Sequence, residues 1–389
     1  MRFFKAIALV TTLITILSCS KEHFELNAQG QRFVEAYNVN HPVGLKIQKI
    51  IDDYTDRGVP GISVAIKNAE GKWEGVSGFA KIETAQAMET GMVHAGGSVT
   101  KIYTATAIMK LFELDKIKLD NPITSYLPQK IAGKIRNAEQ ITVRMLLNHK
   151  SGIPDYIENV DFRLHWFNDL STRWTVDDIF EHLKPNEYNS PGNEFHYSNT
   201  NYVLLSLMIE NIVKALEGNW MKDNLWNPVG LKHTYYRNGA DYLSAFAMPN
   251  FYMDRFGDGR LQNVSVPTRV EIYSEYGDGA LVATALDFVA FMDELSNGRI
   301  ISNDAFAKMK VPAQNSEYGL GLDIFKYGDA KQYGHQGAVF GGSSLLLYFE
   351  KQKTSLFIAA NCDATLVEGK TMALYHEMKN KICDLIATN

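Results

Sequence analysis

Apolar positions recur at helical spacing from Leu45 to Tyr54, and Gly58, Pro60 and Gly61 then break the pattern. Two short apolar runs, Ile62–Ile66 and Trp73–Val76, follow around an Ala69-Glu70-Gly71 turn and predict a β-hairpin. The centre of the chain changes period. Helical patterns cover about 98–116, 142–149, 175–184 and 199–216, joined by loops rich in Asn, Pro and Gly, with Ile123–Pro128 and Ser190–Gly192 as punctuation. Beyond about residue 275 the pattern predicts a helix near 284–296, strands at 318–325, 343–349 and 354–360, and a closing helix from about 370. Strands at both ends around a helical centre predict an α/β (α+β) chain, with a discontinuous α/β domain over 42–95 and 275–389 and a mainly helical insertion over 96–274. No repeat at solenoid periods and no low-complexity tract interrupts this reading.

The N-terminus has a different character. Arg2 and Lys5 precede an apolar run from Ala6 to Leu17, followed by Ser18, Cys19 and Ser20. That run is short for a membrane span and has the layout of an export signal. Ile16-Leu17-Ser18-Cys19 resembles a bacterial lipobox, which implies a signal peptide over 1–19, acylation of Cys19 and an enzyme tethered outside the cytoplasm on a membrane. An ordinary cleaved signal that happens to contain a cysteine is the plainer alternative. Residues 20–41 are polar, lack periodic apolar spacing and suit a tether.

Composition adds bounds. The 389 residues are 46% hydrophobic and 21% charged, enough to bury a large core. A net charge of −5, more acidic once Arg2 and Lys5 leave with the leader, gives no electrostatic reason to bind nucleic acid or anionic lipid. Cys362 ends a strand-like run and Cys383 lies in the last helical pattern, so both are expected as buried thiols. His376-Glu377 begins like a zinc-binding HExxH, but position 380 is asparagine, and no cysteine or histidine cluster has zinc spacing.

The candidate chemistry starts at Gly96-Gly97-Ser98-Val99-Thr100-Lys101, which opens the strongest helical pattern. A spacing of three puts Ser98 and Lys101 on one face of the first turn. The hydroxyl then lies beside unpaired N–H groups and the positive end of the helix dipole, which favour a developing oxyanion. Alone, such a pair is weak, because a serine at a helix start is ordinarily a cap and Ser18 and Lys21 share the spacing by chance.

Company changes that reading. Leu119-Asp120, Leu146 to Gly152, Pro191 to Asn199 with Tyr197-Ser198-Asn199, Gly279 to Thr284, Tyr318-Gly319-Leu320-Gly321 and Gly334-His335-Gln336-Gly337 follow in order. From about Pro60 to Phe357 the chain resembles the serine β-lactamase and penicillin-binding-protein superfamily, whose catalytic elements are SxxK, YxN and a K/HxG strand. The resemblance implies an antiparallel sheet flanked by helices, an inserted all-helical domain and an active site between them.

It also implies roles. Ser98 would be the nucleophile, Lys101 its activating partner, and Tyr197 the phenolic proton relay. Asn199 would hold Lys101 and a substrate carbonyl, and His335 would bond either Tyr197 or a substrate carboxylate. The N–H groups of Ser98 and Ala338 would form the oxyanion hole, with Gly337 letting the strand approach the substrate. Asp120, Asn148, His149, Ser151 and Asp155 are expected in structural roles, Asp120 capping a turn and His149 holding a loop under the site. No metal or organic cofactor and no protein partner is implied. Histidine stands where β-lactamases of this group usually have lysine, and the motif intervals look more like the D-alanyl-D-alanine carboxypeptidase branch. The expected activity is therefore that of a D-peptidase or amidase, D-alanyl-D-alanine carboxypeptidase-like, on peptidoglycan-type or other D-amino-acid peptides. An esterase, a weak class C-like β-lactamase and a non-catalytic penicillin-sensing or scaffold protein stay open.

Overall fold

The computed structural model describes residues 30–183, 188–236, 246–362 and 369–389. The export signal, Cys19 and the first part of the expected tether lie outside the described residues. The first helix, Pro42–Asp56, starts on His41, whose ring Nδ1 accepts the Gly44 N–H at 3.3 Å. Pro42 occupies the first turn, where its missing N–H costs nothing.

Strands run in chain order as β1 (Gly61–Asn68), β2 (Gly71–Lys81), β3 (Gln86–Ala87), β4 (Val93–Ala95), β5 (Thr234–Tyr236), β6 (Tyr252–Met253), β7 (Gln262–Asn263), β8 (Leu281–Thr284), β9 (Asp323–Tyr327), β10 (Ala330–Val339), β11 (Gly342–Phe349) and β12 (Thr354–Ala360). Seven of them form one antiparallel sheet in the order β3-β2-β1-β12-β11-β10-β9. The two ends of the chain meet where β1 pairs with β12, from Ile62 opposite Ala360 to Lys67 opposite Ser355.

Both faces of that sheet are covered, which explains why its central strands read as unbroken apolar runs rather than alternating ones. Leu345, Leu347 and Phe349 pack with Ile47 and Ile51 of the first helix and Met378 and Ile382 of the closing helix, Lys370–Thr388. On the opposite face Leu346 and Phe357 join the helical core, and Phe357 stacks at 4.1 Å on Phe288 of helix Ala285–Ser296. Cys362 and Cys383 are both buried, as thiols. Between the two halves, β4 and β5 flank β8 in a small sheet that delivers the chain into the helix bearing Lys101, Thr100–Glu113.

Three expectations shift. The strand expected over 318–325 begins only at Asp323, because Gly321 takes φ +77° and the segment before it is a loop. β10 has no apolar run to announce it, since Gln332, Gly334, His335, Gln336 and Gly337 interrupt its sequence. Residues 31–41 are laid against the body: Phe33 N–H donates to Gly91 O at 2.9 Å, Asn38 N–H to Lys72 O at 2.8 Å, and Arg32 pairs with Glu89 at 2.7 Å.

Candidate active site

After β4 the chain turns sharply at Gly97, where φ is +49°. A 3₁₀ turn over Gly97–Val99 then feeds helix Thr100–Glu113. This turn is pressed against β10. A Cβ on Gly97 would stand 2.6 Å from Ala338 O, and one on Gly337 2.0 Å from Gly96 O, so both positions require glycine for the two segments to touch. Ser344 Oγ donates to Gly96 O at 2.8 Å and fastens β11 to the same turn. Ser98 and Ala338 therefore sit on adjoining segments and line one cleft of about 600 Å³ with Tyr197, His335 and Gly337.

Beneath Ser98 lies Lys101, with no exposure to solvent. Its Nζ is 3.0 Å from Ser98 Oγ, 2.7 Å from Asn199 Oδ1 and 2.8 Å from Asp278 O. The last two atoms can only accept. A neutral amine would give them its two protons and leave its lone pair for the Ser98 hydroxyl. Burial pushes the Lys101 amine below its ordinary range, against the pull of Asp278, Glu275, Asp155 and Asp323. The ring faces of Tyr197 and Tyr202, 5.0 and 5.5 Å away, favour the charged form. Desolvation is the largest of these influences and sets the direction.

Tyr197 Oη donates to Ser98 Oγ at 3.0 Å. Burial holds this phenol far above its ordinary range, so it keeps its proton at neutral pH and acts as a donor. Asn199 opens helix Asn199–Val213, and its Nδ2 donates to Asp155 Oδ2 at 2.8 Å while its Oδ1 faces Lys101. Burial pushes Asp155 up to about 6. Its Oδ1 accepts the Ile157 N–H at 3.2 Å. Asp278 is fixed by Tyr156 Oη at 2.8 Å and Tyr276 N–H at 2.9 Å.

His335 departs from expectation. Its Nδ1 must donate to Gln336 O at 2.6 Å, so its Nε2 accepts, from Tyr318 Oη at 3.1 Å. Tyr318 thus takes the ring nitrogen that Tyr197 was expected to hold, and the Tyr197 and His335 rings lie 6.0 Å apart. Burial lowers the imidazole pKa, with Asp323 opposing. Both ring nitrogens are engaged within the protein.

Sequence reasoning also missed the Asp278 carbonyl, which carries no side-chain signal, and set Asp155 aside as structural although it orients Asn199. His149 lies under the site: its Nδ1 accepts from Ser198 N–H at 3.1 Å and Asn201 Nδ2 at 3.2 Å, and its ring is 4.3 Å from that of Tyr197. Ser151 Oγ bonds Asn201 Oδ1 at 2.6 Å in the same support. Asp120, expected to cap a turn, is instead gripped by Arg144 at 2.7 and 2.9 Å.

The Beta-lactamase family profile matches residues 47–377. The chain belongs to the Beta-lactamase family. Its fold is that of the serine β-lactamase and penicillin-binding-protein superfamily. Among curated members, the putative penicillin-binding protein PbpX of Bacillus subtilis (strain 168) is 23% identical over 285 residues, covering 73% of this chain. The chain spans 66% of the length of PbpX. Among solved structures, the D-amino acid amidase from Ochrobactrum anthropi SV3, complexed with L-phenylalanine amide, superposes with a TM-score of 0.77 at 26% identity, over 90% of this chain and 99% of the amidase. A D-stereospecific amidohydrolase from Streptomyces sp. superposes with a TM-score of 0.72 at 25% identity, over 86% and 98%.

Proposed function

We propose that this chain is a serine amide hydrolase that works through an acyl-enzyme on Ser98 and takes D-amino-acid amides or peptides. The observation that carries the reading is the buried Lys101 amine, 3.0 Å from Ser98 Oγ and otherwise surrounded by acceptors. Ser98 Oγ attacks the carbonyl carbon and its proton passes to Lys101. The oxyanion settles against the N–H groups of Ser98 and Ala338. As the C–N bond breaks, Tyr197 gives its proton to the leaving nitrogen and Lys101 restores it. Water then attacks the ester by the reverse sequence.

The D-amino-acid part of the proposal draws on the two amidohydrolase structures, each covered almost end to end by this chain. Likeness to a penicillin-binding relative supports β-lactams as a second substrate class for the same machinery, and esters are the remaining alternative of the same acyl-transfer chemistry. Ammonia release from D- and L-phenylalanine amide is the test, beside Ser98→Ala and a fluorescent penicillin. D-selective turnover that falls at least about 10³-fold in Ser98→Ala is expected. Turnover of penicillin or esters with no turnover of amides would move the assignment to the corresponding alternative.

We also propose export and membrane anchoring through Cys19, supported by the charge, apolar run and lipobox-like residues of the N-terminus. Palmitate labelling of the full chain, abolished by Cys19→Ser, is the expected result.

A further inference from the structure

Asp323 opens β9 and lines the same cleft as Ser98. It is opposite Gly334, the last pair between β9 and β10, so from His335 onward β10 runs past the end of its neighbour. Asp323 stands at the corner where that open edge begins. Its side chain is 28% exposed, and the nearest group able to carry positive charge is His335 Nδ1 at 3.7 Å. That nitrogen spends its hydrogen on Gln336 O, and burial favours the neutral ring. Among the described residues lining the cleft there is no lysine or arginine. Lys101 lies beneath the floor, held by Ser98, Asn199 and Asp278. Asp323 feels Lys101 and His335 through space, but Lys101 is bonded beneath the floor, so on the cleft side the carboxylate shares the wall only with the histidines His335 and His376 and is open to a cation entering the cleft. A substrate carboxylate would meet repulsion there and no donor from His335.

We propose that Asp323 binds the free α-ammonium of the substrate, so that the cleft selects amino-acid amides and peptides with an unblocked amino end over N-acylated or carboxylate-ended ones. This rests on the amide-hydrolase reading but names a specificity residue that reading does not require. It makes Asp323 a binding group outside the proton-transfer set, acting on affinity and orientation.

The test compares D-phenylalanine amide with its N-acetyl derivative in wild type and Asp323→Asn. The expected kcat/KM preference for the free amine is about 10- to 100-fold, the range of one charge-assisted hydrogen bond, and Asp323→Asn removes most of it. The preference also collapses as pH rises through the substrate's own amine pKa, about 8, a titration that the ratio to the acetylated compound isolates from the enzyme's groups. Calorimetric binding of both compounds to Ser98→Ala, with and without Asp323→Asn, repeats the comparison without turnover. Failure of amide hydrolysis with an intact, Asp323-dependent binding preference would sink the amidase reading and keep this one. Equal binding of the two compounds, no measurable binding of either, or a preference that survives Asp323→Asn would overturn it. A role limited to orienting His335 would lower turnover of both compounds alike and leave their ratio unchanged.

Discussion

The floor and the wall of the cleft are built on opposite plans. Under Ser98 the network around Lys101 is closely bonded: Lys101 reaches three partners, Asn199 uses both ends of its amide, and Asp155 and Asp278 each accept on both carboxylate oxygens. Along the wall, β10 has no β9 neighbour beyond Gly334, and among the described residues the Asp323 carboxylate has no ionic partner closer than His335 Nδ1 at 3.7 Å. A network in which each member fixes the next holds one geometry, which proton transfer requires. An under-bonded wall leaves capacity for a ligand to fill. The difference places chemistry in the floor and substrate choice in the wall.

The largest blow to the floor is Lys101→Met, which keeps the side chain's bulk and removes the base. We expect kcat/KM to fall by about 10³- to 10⁴-fold with the circular dichroism spectrum unchanged. Activity within tenfold of wild type would mean that the proton leaves Ser98 by another route. Gly337→Ala strikes the seam between floor and wall, since the new Cβ would meet Gly96 O at 2.0 Å and force β10 off the nucleophile turn. A displacement of that kind costs about 10²-fold in kcat, together with a lower melting temperature. Near-normal kcat would show that the Ser98 and Ala338 segments need not touch for the reaction. Tyr318→Phe is milder and sharpens the border. It leaves buried His335 Nε2 without a donor, at about 1–3 kcal/mol of stability by urea unfolding, with kcat expected within about tenfold. A kcat loss comparable to that of Lys101→Met would move Tyr318 into the floor.

What the sequence reveals follows the same division. Ser98 and Lys101 sit one helical turn apart on contiguous chain, so their spacing alone predicts their meeting. Central strands such as β11 and β12 announce themselves because both faces are buried. β10 does not, since its polar side chains and glycines serve the cleft, and only the resemblance to a known family placed His335 on a strand. The bond from Asn199 to Asp155 spans 44 residues and that from Lys101 to the Asp278 carbonyl 177, and neither leaves a periodic signal. His335 and Tyr318 are only 17 residues apart, yet the turn at Gly321 that separates Tyr318 from β9 decides the contact.

Acid offers the finest test of how dry the floor is. Burial pushes Asp155 up to about 6, partly offset by nearby Lys101 and by the Ile157 and Asn199 donors. In an unfolded chain the same carboxyl titrates near 3.9. Between roughly pH 4 and pH 6 the native state holds more protons than the unfolded one, so this group's contribution falls as pH rises through that window, and the cost persists above it. Its size is on the order of 1–3 kcal/mol. Glu74 and Asp287, raised to about 7 and about 6, tilt stability the same way but are present in both proteins and cancel in a difference. Asp155→Asn removes this titration and leaves the Ile157 and Asn199 donors a single acceptor oxygen, an offset common to both pH values. The informative quantity is the slope. Urea midpoints at pH 5 and pH 7 should show wild type gaining more on acidification than Asp155→Asn does. Equal slopes would mean that water reaches Asp155, and the contrast between a sealed floor and an open wall would then fail at its lowest point.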